Sequence, residues 1–132
     1  MQTILLIDDS KDILENISEF LSIEGYRILA ASNGKKGVEM VKLFLPDLII
    51  CDVLMNDMDG YEVLNEIIDI IKVKKIPFIF STSLSEKADR AESLRLGASD
   101  YIVKPFEMET LLTMVKCLIK KDVKYFSSKS NN

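Results

Sequence analysis

The 132-residue chain contains no histidine and no tryptophan. Without histidine it has no imidazole general base, no histidine metal ligand and no phosphohistidine, which removes several enzyme classes and the donor side of any phosphoryl relay. Cysteine is also scarce. Cys51 and Cys117 are the two present, far apart and with no Cys-x-x-Cys pairing to suggest zinc or redox chemistry, so both are expected to be small buried hydrophobes in a reducing, cytoplasmic setting. No apolar run approaches the roughly 20 residues of a membrane span, and no basic leader precedes the first apolar run, so neither membrane insertion nor secretion is expected. Basic residues do not predominate: 17 Lys and Arg against 21 Asp and Glu give a formal charge of -4, which argues against a general nucleic-acid-binding surface.

What is present is an alternation of short apolar runs with longer amphipathic stretches, repeated five times. Thr3 to Ile7 is a strand that ends at Asp8 and Asp9, and Ser10 offers an N-cap to a helix over about Lys11 to Glu24, closed by Gly25. Tyr26 to Ala31 is the second strand. The helix after Ser32–Gly34 shows Val38, Val41, Leu43 and Phe44 as apolar before Pro46 stops it. Leu48 to Cys51 ends at Asp52, and Gly60 opens a helix with Val63, Leu64, Ile67, Ile68 and Ile71 in one stripe. Pro77 to Ser81 ends at Thr82. A more polar helix, about Glu86 to Leu96, has Ala88, Ala91, Leu94 and Leu96 as its apolar candidates. Tyr101 to Val103 ends at Lys104-Pro105, and a last helix starts near Glu107. One domain over 1–126 with a disordered tail at 127–132 is expected.

Strands apolar throughout, separated by helices, predict a doubly wound α/β fold with a five-stranded parallel sheet. Ligands of such folds sit beyond the carboxyl ends of the strands. Here those ends carry Asp8 and Asp9, Asp52, Thr82 and Lys104, four segments converging on one edge. Three carboxylates gathered there repel one another unless a cation intervenes, and a hard divalent ion with oxygen ligands, Mg2+, suits phosphoryl chemistry. A carboxylate can itself accept a phosphoryl group, and Asp52 ends the central strand.

LLIDDS at 5–10, CDVLMNDMDGYEVL at 51–64, PFIFST at 77–82 and GASDYIVKPF at 97–106 together resemble a response-regulator receiver domain of two-component signalling, over about Gln2 to Ile119. The resemblance implies a flavodoxin-like (βα)5 fold with strand order 2-1-3-4-5. It implies that Asp52 is the phosphoacceptor, that Asp9 ligates Mg2+ directly, that Asp8 holds a metal-bound water and that Leu54 contributes its backbone carbonyl. Thr82 and Lys104 would contact phosphoryl oxygens, Thr82 and Tyr101 would form the switch, and Pro105 would follow a cis peptide bond. The implied partner is a sensor histidine kinase or phosphotransfer protein, with a homodimer through the face made by the fourth helix, fifth strand and fifth helix. Arg90, Asp100 and Lys116 partly match the charged set of one dimer class, although Arg95 stands where an acid is usual.

Two features depart from the pattern. Asn56 stands where proline is usual, which predicts a more adaptable loop around an intact site. The variable positions that influence water access are the apolar Leu54 and Leu84, which predict slow autodephosphorylation. The alternative is a phosphorylation-independent interaction module of the same fold. A phosphatase with an aspartate nucleophile would want an acid at position 54, where Leu54 stands. With the first strand starting just after Met1, an N-terminal or standalone receiver is expected.

Overall fold

A strand covered by helices on both sides cannot alternate polar with apolar residues, and the two central strands show this: Leu48–Asp52 and Phe78–Thr82 are buried at every position. The structure is a computed structural model that describes residues 1–83 and 87–130, with side chains over 1–83 and 90–119. Its elements are β1 (Thr3–Ile7), α1 (Lys11–Ile23), β2 (Arg27–Ala31), α2 (Gly34–Phe44), β3 (Leu48–Asp52), α3 (Gly60–Lys74), β4 (Phe78–Thr82), α4 (Lys87–Arg95), β5 (Asp100–Val103) and α5 (Met108–Ser130). All strand pairs are parallel, in the order β2-β1-β3-β4-β5, as expected.

Side-chain alternation divides the core into two layers. Ile4, Leu6, Leu48, Ile50, Ile79 and Ile102 point toward α1 and α5, where Leu14, Ile17, Leu21, Leu111, Leu112 and Val115 meet them. Leu5, Ile7, Ile49, Cys51, Phe78, Phe80 and Tyr101 point the other way, onto Val38 and Val41 of α2 and Val63, Leu64, Ile67 and Ile71 of α3.

Helix ends follow the sequence signals. The Ser10 hydroxyl accepts from Ile13 N–H, and Asp59 and Glu62 form a reciprocal capping box at α3. Gly25 and Gly97 take the positive φ values of helix exits, +102° and +117°.

Several expectations are corrected. Leu43 and Phe44 are 76% and 55% exposed, because the α2 face toward the sheet is already filled by Val38 and Val41. Among the described side chains of α4 the buried one is Ser93, near the Tyr61 hydroxyl at 3.3 Å, while Ala91, Leu94 and Leu96 face solvent. Ala88 lies outside the described side chains. Cys51 is buried as expected, but Cys117 lies on the outer side of α5 and is exposed. Helix α5 spans Met108–Ser130, and Asn131 and Asn132 lie outside the described residues.

Gly60 is required by close packing beneath the β3–α3 loop. A Cβ there would lie 2.5 Å from the Asp52 carbonyl oxygen and 3.0 Å from both Phe80 Cε1 and Val53 Cα. Two of these neighbours are backbone and cannot yield cheaply. Gly60→Ala is therefore expected to lower the unfolding free energy by about 2 kcal/mol or more in urea denaturation, within the usual range for overpacking.

Candidate functional site

Strand register builds the site. Ile7 of β1 lies opposite Cys51 of β3, so the next residue, Asp8, comes level with Asp52; Asp52 pairs with Ser81 of β4, and Ser81 with Ile102 of β5. Alternation puts this row on the α1/α5 side of the sheet, continuing the columns of Leu6, Ile50 and Ile79. Lys104, two residues past Ile102, returns along the same side.

The result is a compact charged cluster. Asp8 and Asp52 are 5% and 7% exposed, and Asp9 is exposed. Carboxylate oxygens of Asp8, Asp9 and Asp52 lie within 4.8 Å of one another. Lys104 Nζ sits 2.9 Å from Asp8 Oδ2 and 3.5 Å from Asp52 Oδ1. The other Asp8 oxygen accepts from Ser10 N–H at 2.9 Å, which ties β1's end to the start of α1. The Lys104–Pro105 peptide is cis, as expected.

Thr82 is fully buried at the end of β4, and its carbonyl accepts from Lys104 N–H at 2.7 Å. Strand parity puts Thr82 on the Tyr101 side of the sheet, since Phe80 pairs with Tyr101. Tyr101 is 3% exposed and packed within the α2/α3 layer, so it is already inward. The Leu54 side chain is 56% exposed in the loop after β3. Leu84 lies outside the described residues.

Burial drives the Asp52 carboxyl up from its ordinary 3.8 to about 6, and the Asp8 charge adds to the rise; Lys104 opposes both, and Asp9 raises it further. Burial, helped by the Asp52 and Asp8 charges, likewise raises the Cys51 thiol well above its ordinary value, leaving it an inert neutral group beside the site.

Two participants escaped the sequence reading. The Ser81 hydroxyl, next to Asp52 in the cross-strand row, is buried without a hydrogen-bond partner. Its only signal was a polar residue interrupting the apolar run PFIFST. Asp57 reaches from the β3–α3 loop to the start of α2, accepting from Gly34 N–H at 3.0 Å and Lys35 N–H at 2.9 Å. A contact made across more than 20 residues leaves no local pattern to find.

Residues 4–116 match the model of the response regulator receiver domain. The chain belongs to the response-regulator receiver family. The receiver domain is 37% identical over 132 residues to the probable transcriptional regulator ycf27 of Galdieria sulphuraria, covering 99% of this chain and 51% of that protein. It is 36% identical to the protein of the same name from Porphyridium aerugineum, covering 99% and 52%. The chain thus spans about half the length of these curated relatives. Among solved structures it resembles the chemotaxis protein CheY4 of Vibrio cholerae, with a TM-score of 0.83 and 30% identity over 89% of this chain and 98% of that one. The Francisella response regulator 1452 receiver domain gives 0.86 and 26%, over 92% and 99%. The family is one of signalling domains, not of metabolic enzymes. No helix among the described residues of the receiver domain is long and apolar enough to cross a membrane.

The raised Asp52 carboxyl has a consequence for stability. A folded-state value near 6 against 3.8 unfolded means that the folded protein holds the proton more tightly, so metal-free stability is full below about pH 4 and declines as pH rises through 6. Asp52→Asn removes that penalty. We expect it to stabilise the metal-free receiver domain by up to about 2–3 kcal/mol at pH 7, with the difference vanishing below pH 4, in denaturation curves recorded with a chelator.

Proposed function

We propose that Asp52 accepts a phosphoryl group from a sensor histidine kinase or phosphotransfer protein, in a Mg2+-dependent reaction in the cytoplasm. The observation that carries this reading is the meeting of three carboxylates within 4.8 Å around Asp52 with one lysine ammonium against two of them. The donor set is all oxygen, and its spread suits two direct carboxylates with a third acting through water, which is how a small hard dication binds. Asp9 and Asp52, with the Leu54 carbonyl, would hold the ion, and Asp8 would hold its water. When bound, Mg2+ screens the carboxylates and draws charge from the transferring phosphoryl oxygens.

The chain's own groups do the remainder. An Asp52 oxygen forms the new bond to phosphorus while the bond from phosphorus to the donor nitrogen breaks, its electron pair leaving with the donor. Lys104, which pairs with Asp8 and Asp52 in the resting site, pairs instead with a phosphoryl oxygen. The Thr82 hydroxyl donates to another. Thr82 and Tyr101 share one side of the sheet, so drawing the threonine toward the phosphoryl group changes the space beside Tyr101 and with it the face of α4, β5 and α5. That face is also the proposed homodimer surface; Arg90 bonds Asp100 across it at 3.2 Å, and Arg95 pairs within α4 with Glu92. The relatives are named as probable transcriptional regulators, and we assign any DNA contact to regions outside this net-acidic domain.

Incubation with Mg2+ and acetyl phosphate, or with a beryllofluoride mimic, is expected to modify Asp52, read by intact mass or by NMR shifts at Thr82 and Lys104. Failure to respond, or a response that survives Asp52→Ala, would overturn the proposal. With the apolar Leu54 beside the acceptor, the acyl phosphate should outlast the seconds scale, and Leu54→Glu should shorten its life by giving an attacking water a partner. Lys104→Met removes a cation that competes for the same carboxylates, so it should tighten Mg2+ binding by about tenfold while abolishing the phosphorylation-induced NMR changes.

A further inference from the structure

Helix α2 begins badly. Its first turn is Gly34-Lys35-Lys36, with no acidic residue, and the two lysines oppose the positive end of the helix dipole. The missing negative charge comes from elsewhere: Asp57 accepts from Gly34 and Lys35 N–H through its two oxygens, and Asn33 Oδ1 accepts from Lys36 N–H at 2.8 Å. The first three amides of α2 are thereby satisfied, two of them by a residue of the β3–α3 loop. Slight burial works against the Asp57 charge, but the N–H groups of Lys35, Gly34 and Met58 outweigh it and hold the carboxyl below its ordinary value.

The fit is steric as well. Gly34 is where Met58 packs, and a Cβ at that position would run into Met58 Cγ and crowd Val63.

The loop needs such an anchor. Val53 to Asp59 contains no proline, so its backbone has no covalent restraint of that kind. Its base is held by Gly60 N–H donating to the Val53 carbonyl at 2.8 Å, and its exit by the Asp59–Glu62 box. In the middle, Met55 and Met58 pack against the core and Asp57 supplies the hydrogen bonds to α2.

We propose that Asp57 is a positioning residue: by tying the loop after Asp52 to the N-terminus of α2, it orders the Leu54 backbone and so supports binding of a divalent cation at the carboxylate cluster. The cation part rests on the phosphoacceptor reading above, while the tether itself does not.

A tether can shift the loop by no more than its own worth, which for a lost helix cap is about fivefold in an equilibrium constant. In the metal-free protein, Asp57→Ala should speed amide hydrogen exchange at Gly34, Lys35 and Met58, whose N–H groups donate to Asp57, and should raise backbone mobility at Leu54 to Met58 in NMR relaxation. It should also weaken Mg2+ binding, titrated by NMR, by about fivefold. Asp57→Asn, which keeps one acceptor oxygen, should fall between. The decisive variant is Asp57→Ala combined with Asn56→Pro. Asn56 N–H makes no hydrogen bond among the described residues, so proline can stiffen the loop there without removing one. This pair should recover Mg2+ affinity to within about twofold while the α2 amides stay exposed. Unchanged NMR relaxation at Leu54 to Met58 in Asp57→Ala would overturn the proposal. So would an affinity loss that Asn56→Pro does not recover, because the effect would then come from the lost charge alone. If the wild-type chain takes up no Mg2+, the phosphoacceptor reading fails by itself, and the metal-free relaxation rates still decide whether Asp57 holds the loop.

Discussion

A buried carboxylate beside a second buried carboxylate is the constraint on which the site depends. Asp8 and Asp52 come level because β1 and β3 are adjacent and parallel, and burial would force a proton onto one of them if no cation were near. Lys104 supplies that cation from β5, two strands beyond Asp52. The resting site is thus only partly neutralised, one ammonium against two carboxylates, and Asp52 still sits near 6. Its lysine is shared between two acids at unequal distances, 2.9 and 3.5 Å, and so can be redistributed when a stronger cation or a new anion arrives.

The apolar runs disclosed this much of the arrangement directly. An uninterrupted five-residue run bounded by aspartate can be read as a doubly covered strand ending at a reactive edge, and Leu48–Asp52 behaves so. Strand order and the meeting of residues 8, 52 and 104 followed from parallel topology together with the four motifs. Amphipathic periodicity was less informative at helix margins. Leu43, Phe44 and Cys117 continue apolar patterns yet face solvent, because the sheet covers only part of each helix and the stripe was already satisfied by nearer residues. On α4 the difference has another source: among the described side chains, which include few apolar ones, an inward position went to Ser93, which a polar contact with Tyr61 can satisfy.

Capping shows the same division between local and distant information. The caps of α1 and α3, Ser10 and Asp59, lie one residue ahead of their helices and are visible as short motifs. The acid at α2 comes from residue 57, and only the fold brings it there. This makes α2, the loop after Asp52 and α3 a continuous hydrogen-bonded unit, reinforced by Met58 against Gly34 and by a shared apolar layer of Val38, Val41, Val63, Leu64 and Ile67.

The opposite flank is built differently. Helix α4 has nine residues, and among its described side chains the buried one is a serine. Displacing a helix costs free energy roughly in proportion to the apolar surface it must expose, and local opening is cheapest where that surface is small. Helix α3, with five residues buried, cannot move without disturbing the layer beneath it, whereas the described side chains of α4 include polar contacts from Ser93 to Tyr61 and from Arg90 to Asp100 and bury no apolar group. The site at the ends of β3 and β4 therefore lies between a wall packed on an apolar layer and one whose described side chains are mostly exposed. On the phosphoacceptor reading, a rearrangement at Thr82 would meet less apolar resistance toward α4 and Tyr101 than toward the α2–α3 layer.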